Sequence, residues 1–544
     1  MTDWNFADVW EVVASSRPDA PALVQGQRRY TWREFDERSD GIGAALLAAG
    51  LSHQSKVAQY LYNGPEYLES LYGAFKVGMV PVNTNYRYTE DELVYLWDNA
   101  DVEAVVFHGS FWERAAAVRA KLDSIKCWLW VDDGARRCPE WAEPYENAAA
   151  SPPAGPVRAP WGRSGDDVIL IYTGGTTGMP KGVMWRQDDL FATLNRTGEL
   201  RYPEQGGIAG VRSVLGAPSK YPPARLLPGP PLMHGTGLFT AMSVLNSAGS
   251  VVLLESRHFD VEALLDTVQS ERITEISIVG DAFAKPILAA LDAQPHRWDI
   301  SSLWLIISSG VMWSAEVKEG LARHQPKILM IDNLGSSEAI GMARSASKQG
   351  SAASTAGFQL GPNTRVIDED GRDVEPGSGQ QGMVALRGRG PIGYYKDAEK
   401  SATTFRVIDG ERWTVPGDFA TVEADGSVRL LGRGSVCINT GGEKVFPEEV
   451  EEVLKRHPAV HDAVVVGVPD DRFGEAVAAV VEPVSGADIP DETELSAWAR
   501  HSLAGYKVPR HVVAVESIGR APNGKVDYKR LRALASEAVV TSRR

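Results

Sequence analysis

The sequence predicts a two-part protein of the α/β and α+β classes: a large N-terminal region of helix-covered sheets and a smaller C-terminal α+β domain. Three observations carry that expectation. The chain has 544 residues, more than one hydrophobic core normally organises, so two domains are expected. Strand-like and helix-like patterns alternate through the first 165 residues or so, a rhythm that favours parallel strands joined by crossover helices. From Pro447 onward the pattern becomes a short charged helix, two apolar strands and a second helix, as in a small α+β unit.

Residues 6–14 have amphipathic helical spacing. Thr31 and Glu34 stand at the spacing of a capping box, and Leu46 and Leu47 lie on the apolar stripe of the helix that the box opens. Strands are expected at 57–61, 79–82 and 104–107, with helices at 66–77 and 89–98 between them. The apolar run 168–172 reads as a further strand. Residues 206–231 are so punctuated by Gly and Pro that an irregular loop is expected. Strands at 251–254, 275–279 and 303–308 then alternate with helices at 261–270 and 283–292. Near the C-terminus Pro447 starts a helix, Glu448 and Glu449 fill its first turn, and Lys455, Arg456 and His457 precede Pro458. Strands at 463–468 and 476–481 follow, and a helix from about residue 491 is ended by Gly505.

Lys and Arg number 56 against 71 Asp and Glu, a net charge of -15. A broad nucleic-acid surface is therefore not expected, although a local basic pocket for nucleotide phosphates is compatible with that balance. The three cysteines, Cys127, Cys138 and Cys437, are neither even in number nor at metal-ligand spacing, so a reduced cytoplasmic protein without disulfides or zinc is expected. The first ten residues lack a basic-then-apolar leader pattern, and no apolar run approaches the ~18 residues that span a bilayer. No transmembrane segment is expected, and any membrane contact would be peripheral.

The chemistry concentrates in I-Y-T-G-G-T-T-G-M-P-K-G, residues 171–182. Gly174, Gly175, Gly178 and Gly182 let backbone N–H groups approach an anion closely. Thr173, Thr176 and Thr177 add hydroxyls suited to phosphate oxygens or a hydrated Mg²⁺, and Lys181 adds a positive charge. The run is not a P-loop, because Pro180 precedes the lysine and Gly182 follows it. A second glycine run, Gly388, Gly390 and Gly393, satisfies G-x-G-x-x-G. Pro391, Tyr394 and Tyr395 interrupt the strand-to-helix context that a dinucleotide site requires, so no nicotinamide or flavin site is expected there.

The 171–182 run resembles the phosphate-binding signature of the adenylate-forming superfamily, which includes acyl-CoA synthetases, luciferases and adenylation domains. Further motifs follow in family order, and the resemblance extends from about residue 20 to about residue 535. It implies that Thr173, Gly174, Gly175, Thr176, Thr177, Gly178 and Lys181 bind ATP. His234, in P-L-M-H-G-T-G, would gate an acyl pocket bordered by Gly280, Gly310 and Val311, with Gly310 also near the adenine. In D-N-L-G-S-S-E, Asp332, Asn333, Gly335, Ser336 and Ser337 would meet the nucleotide, and Glu338, with Thr176, would hold Mg²⁺. Asp418 would hold the ribose hydroxyls and Arg433 the ribose and phosphate. Lys525, in R-A-P-N-G-K, would bridge the substrate carboxylate and the α-phosphate. Ser435 would be the hinge, and Gly441 and Gly442 would line the CoA tunnel.

Several positions depart from the family pattern. Leu334 replaces a tyrosine, which gives the adenine an aliphatic face, and Ser337 replaces a threonine. Ser435 stands where many members have Asp or Lys, Asn439 replaces a frequent lysine, and Gly519 and Ala521 replace Pro and Thr.

The resemblance implies an adenylation domain at 1–431, a hinge at 432–436 and a small mobile C-terminal domain at 437–544. The implied activity is that of an ATP-dependent acyl-CoA synthetase acting through an acyl-adenylate, with ATP, Mg²⁺ and coenzyme A as cofactors and co-substrates. The segments V-M-W-R, G-S-S-E and G-S-V-C-I-N-T-G-G-E-K are most similar to those of bacterial synthetases for fatty acids and steroid side-chain acids. The small Gly280 and Ala282 are compatible with a long or bulky acyl group. Two alternatives stay open: an acyl-AMP ligase that loads a carrier protein, and a nucleotide-binding homologue that has lost catalysis. The expected partners are the carboxylic acid and CoA, with a homodimer left open.

Overall fold

The alternating N-terminal pattern folds into two sheets whose central strands are parallel. A computed structural model describes residues 3–173, 179–196, 200–218, 222–311, 313–350, 357–433, 438–440, 443–470, 474–486, 491–503, 505–521, 524 and 526–542. These fall into two units, one containing residues up to 174 with 179–355 and 387–406, the other containing 356–386 and 407–544.

In the first unit, one sheet runs Arg28–Thr31, Pro21–Gln25, Ser250–Leu253, Arg225–Pro228, Glu275–Ile278, Leu305–Ser309, Leu329–Leu334 and Ala343–Ser347. Its six central strands pair in parallel and its two outermost pairs are antiparallel. The other sheet runs Gly393–Tyr394, Lys181–Arg186, Val168–Thr173, Val80–Asn83, Lys56–Tyr60, Val102–His108, Cys127–Val131 and Glu143–Pro144. From Val168–Thr173 onward its neighbours are parallel. Such strands need coverage on both faces, and helices Phe6–Ser16, Trp32–Ala48 and Pro65–Lys76 supply part of it. They meet through fully buried rings: Phe6 stacks on Phe75 at 5.3 Å, and Trp10 lies edge-on to Tyr72 at 5.1 Å. The expected capping box is present, since Thr31 N donates to the Glu34 carboxylate at 2.7 Å and Glu34 N donates to Thr31 Oγ1 at 3.2 Å.

The expected irregular loop at 206–231 is corrected: it contains helix Gly207–Gly216 and strand Arg225–Pro228. Val211 and Leu215, one turn apart, are buried in the same core as helix Phe6–Ser16. Burial of that stripe outweighs the roughly 1 kcal/mol that each interior glycine costs a helix. The four-residue strand is too short to show a period, and its place is fixed by parallel neighbours on both sides. The wholly buried strand Cys127–Val131 is likewise not among the expected elements.

In the second unit, strands Gly357–Leu360, Val428–Arg433, Asp418–Val422 and Gln381–Arg387 are successive neighbours, and each adjacent pair is antiparallel. Further on, Val460–Asp470 pairs antiparallel with Gly474–Pro483, to which His511–Ala514 adds in parallel. Strand periodicity splits the long strand between two cores. Ala463 and Val465 pack with Val450, Leu454 and Leu495, whereas Val464, Val466 and Val468 pack with Leu531, Ala535 and Val539. Helices Pro447–Lys455 and Glu492–Arg500 therefore cover one face and Tyr528–Ser542 the other. Among the described residues no helix is long and apolar enough to cross a membrane.

Candidate active site

Each candidate segment of the first unit follows the carboxyl end of a parallel strand. Residue 174 follows Val168–Thr173, 231–237 follows Arg225–Pro228, Gly280 follows Glu275–Ile278, Gly310 follows Leu305–Ser309, and 335–338 follows Leu329–Leu334. Open α/β sheets bind ligands at that edge, where loops converge and backbone N–H groups are unpaired.

The strands on either side of residues 174–180 pair with each other. Val168–Thr173 pairs antiparallel with Lys181–Arg186, and Thr173 is the register partner of Lys181. A P-loop continues into a helix, whereas this chain returns as a strand. Gly174, Gly175, Thr176, Thr177 and Gly178 lie outside the described residues. A Cβ at Gly182 would sit 2.7 Å from the Tyr172 ring, so glycine is required there. The Lys181 ammonium pairs with Asp397. Asp397 also caps helix Ala398–Thr404, accepting from Lys400 N at 2.9 Å. The bond from Lys181 is the main reason the Asp397 carboxyl sits below the usual range.

Along Leu329–Leu334, Met330, Asp332 and Leu334 face inward by strand alternation. Asp332 is 3% exposed and receives the buried Lys318 ammonium at 3.4 Å. Burial pushes its pKa up to about 7, and Lys318 offsets only part of that rise. At Gly335 the chain turns: Ser336 N donates to Ala339 O at 2.9 Å and Ala339 N to Ser336 O at 3.2 Å, which sets Ser337 and Glu338 on the turn. Two bonds then fix this turn. Trp185 Nε1 donates to Ser337 O at 2.8 Å, and Tyr394 Oη donates to Glu338 Oε1 at 2.8 Å. Since Gly393–Tyr394 pairs with Lys181–Arg186, residues 394–397 hold both the Glu338 carboxylate and the Lys181 ammonium.

His234 is half-buried and occupies the N-cap position of helix Gly235–Asn246. A Cβ on Gly235 would lie 3.5 Å from Ser337 Oγ, so the histidine segment runs beside the Glu338 turn. A Cβ on Gly237 would approach Pro231 O to 2.6 Å. Gly280 and Gly310 have φ of +50° and +97°, conformations that favour glycine where these strands turn out of the sheet. Gly280 N donates to Ser308 Oγ at 3.0 Å, and the half-buried Val311 packs against the core that contains Val279. Asn333 is half-buried.

In the second unit, Asp418 opens Asp418–Val422 and is the register partner of Arg433 on the adjacent antiparallel strand. Asp418 is 6% exposed. Ser435, Gly441, Gly442 and Lys525 lie outside the described residues. The chain just before Lys525 is anchored: Gly524 N donates to Ala521 O at 2.8 Å, and Arg520 Nη1 donates to Gly524 O at 2.9 Å. Arg520 is itself held by Asp462, with Nη2 donating to Oδ1 at 2.9 Å.

Sequence reasoning missed Tyr394, Asp397, Trp185 and Arg520. The first two stand in G-Y-Y-K-D, directly after the glycine run whose dinucleotide reading fails; an Asp three residues before a helical backbone N–H was the available signal.

Among the described residues no cluster of three or more His, Cys, Asp or Glu could form a protein-built metal cage. A half-exposed carboxylate oriented by Tyr394 fits Mg²⁺ instead, because that ion is usually held by one or two carboxylates together with substrate phosphates.

The AMP-binding enzyme family model matches residues 10–395, and that of the AMP-binding enzyme C-terminal domain matches 449–525. The medium/long-chain-fatty-acid–CoA/3-oxocholest-4-en-26-oate–CoA ligase of Mycolicibacterium smegmatis is 40% identical, covering 96% of this chain and 95% of its own. The 3-oxocholest-4-en-26-oate–CoA ligase of Rhodococcus rhodochrous is 38% identical over 96% of this chain and 95% of its own. The crystal structure of the anthranilate CoA ligase AuaEII in complex with anthranoyl-AMP superposes with a TM-score of 0.83 at 22% identity, covering 99% of both chains, a likeness of fold.

Proposed function

Because the chain belongs to the AMP-binding enzyme family, we propose that it is an AMP-forming acid–thiol ligase for medium- or long-chain fatty acids or steroid side-chain acids. The observation that carries the reading is the joint hold of residues 394–397 on Lys181 and Glu338, beside the segment of His234. The substrate class is supported by the acids in the names of the similar ligases.

In the first half-reaction a carboxylate oxygen of the acid attacks the α-phosphorus of ATP, and the bond to the bridging oxygen breaks. Pyrophosphate leaves with that electron pair, giving acyl-AMP. Lys181 exchanges Asp397 for phosphate oxygens, and the backbone N–H groups of 173–178 receive the rest of the triphosphate. Glu338 and Thr176 would hold Mg²⁺, which neutralises phosphate charge when bound. Gly335, Ser336, Ser337, Asn333 and Gly310 border the adenine, with Asp332 supporting their strand through Lys318. Asp418 and Arg433 hold the ribose, while His234, Gly280, Gly310 and Val311 border the acyl group. In the second half-reaction the CoA sulfur attacks the acyl carbonyl, the bond to AMP breaks, and the thiol proton is lost. To Lys525 we assign the bridging role in adenylation, to Ser435 the hinge, and to Gly441 and Gly442 the CoA passage. The division at 432–436 is proposed with these roles.

The test is pyrophosphate release with ATP and Mg²⁺, with and without CoA, for acetate, octanoate, palmitate, benzoate and a steroid side-chain acid, with Lys525→Ala alongside. CoA-stimulated release for a lipid-like acid, reduced about 100-fold or more in the variant, is expected. Silence across the panel overturns the reading. Release indifferent to CoA, with transfer to a carrier protein, moves the acceptor to that protein.

A second expectation concerns Tyr394→Phe, which removes the hydroxyl that orients Glu338 but keeps the ring against Phe405. Turnover should fall about 10-fold or more, and half-maximal rate should need more Mg²⁺. Mn²⁺ binding in the presence of ATP, followed by electron paramagnetic resonance, should weaken in parallel. Unchanged metal binding would show that the bond does not orient the ligand.

A further inference from the structure

Asn83 ends strand Val80–Asn83, the neighbour of the strand that enters the phosphate segment. The residue is 6% exposed, and neither composition nor motif singles it out. The amide makes three bonds. Tyr172 N donates to Oδ1 at 2.6 Å, while Nδ2 donates to Tyr172 O at 2.9 Å and to Met233 O at 2.7 Å. The orientation follows from the partners, since a backbone N–H can only donate and a carbonyl can only accept.

One side chain therefore grips both backbone groups of the residue before Thr173 and the carbonyl of the residue before His234. A second amide works on the same histidine segment: Leu232 N donates to Asn63 Oδ1 at 2.7 Å. An aliphatic side chain at position 83 would leave Met233 O and both Tyr172 groups without this partner inside the protein, and buried polar groups are rarely left so. The geometry is more specific than burial alone requires, because a single planar group ties Tyr172 to Met233, two residues far apart in the chain.

We propose that Asn83 is a positioning residue for adenylation, locking the segment that receives the triphosphate to the segment that presents His234 to the acid. It touches neither reactant. The inference rests on the function proposed above. Its consequence is that the acid carboxylate and the α-phosphate are held in one frame, so a small relative shift of the two segments lowers the reaction rate before it weakens the binding of either substrate alone.

The experiment is a double-mutant cycle of Asn83→Ala and His234→Ala, read as single-turnover acyl-adenylate formation in the full chain with an acid that the wild type turns over. ATP affinity and the unfolding midpoint are measured for each variant. Asn83→Ala should lower the rate constant about 10- to 100-fold, the scale of a misplacement near 1 Å. ATP affinity should stay within about threefold. In the His234→Ala background the same substitution should cost less than about threefold, because the group it positions is gone. Effects that multiply independently would overturn the inference, as would a wild-type rate in Asn83→Ala. If Asn83→Ala does not accumulate as folded protein, Asn83→Ser, which keeps a hydroxyl donor and acceptor, enters the same cycle. A wild type that turns over no acid overturns the functional reading and this inference with it; an active wild type with independent effects overturns this inference alone.

Discussion

Glu338→Gln is expected to lower pyrophosphate release by about 100- to 1,000-fold, the scale of losing one dedicated electrostatic group at a reacting centre. The substitution is nearly isosteric. The amide oxygen can still accept from Tyr394 Oη, and Trp185 still donates to Ser337 O, so the turn at 335–339 keeps its anchors. What is lost is the full negative charge, which a hard divalent cation prefers to a neutral amide oxygen. The rate should therefore recover in part as Mg²⁺ is raised, while the unfolding midpoint stays within about 1 °C of the wild type for a half-exposed, isosteric change. Wild-type turnover at low Mg²⁺ would remove Glu338 from the site. A fall in activity that tracks a fall in unfolding midpoint would make its role structural.

Glu11→Gln is expected to cost about 3 kcal/mol of stability, measured as the urea midpoint of the first unfolding transition. Glu11 lies on helix Phe6–Ser16 and receives Arg158 at 2.7 Å, Arg163 at 2.6 Å and Lys76 at 3.4 Å. The Lys76 side chain is fully buried and that of Arg163 is 8% exposed. Burial alone would raise the Glu11 pKa, but the bonds from Arg163 and Arg158 outweigh it and hold the group at about 2, against an ordinary 4.5. That depression is worth about 3 kcal/mol, in line with the loss of one partner from a buried ion cluster. The sign fixes the pH window. Because the folded pKa lies below the unfolded one, the contribution is complete above about pH 4.5 and disappears as pH falls toward 2. The gap between wild type and variant should be constant from pH 8 to 5 and smaller by about 1.4 kcal/mol at pH 3.5. A gap that does not narrow with acid would show that Glu11 acts through packing instead of charge. The cluster matters to the site because Arg163 stands in the loop that leads into Val168–Thr173.

The sequence was sufficient where the physics is local. The alternation of strands and helices follows from side-chain periods of 2 and 3.6, and the capping box at Thr31 and Glu34 needs only four residues in a row. The glycine- and threonine-rich run at 171–182 reads as an anion segment from its residue types, which combine close backbone approach with hydroxyl donors. The lone Glu338 is legible only through its place in an ordered set of motifs. Resemblance, not periodicity, supplied the roles proposed for His234, Asp418, Arg433 and Lys525.

Tertiary structure alone decided the rest. That the chain returns as a strand from Lys181 depends on the pairing of Thr173 with Lys181, and that Tyr394 meets Glu338 depends on a strand more than 200 residues downstream of Val183. The helix Gly207–Gly216 exists because a buried stripe found a core, against the local preference of its glycines. Asn83 is an unremarkable polar residue until the fold sets Tyr172 and Met233 beside it. The reason is the same in each case. A hydrogen bond or an ion pair gains its value from the burial and direction of its partner, and neither is written in the spacing of residues along one chain.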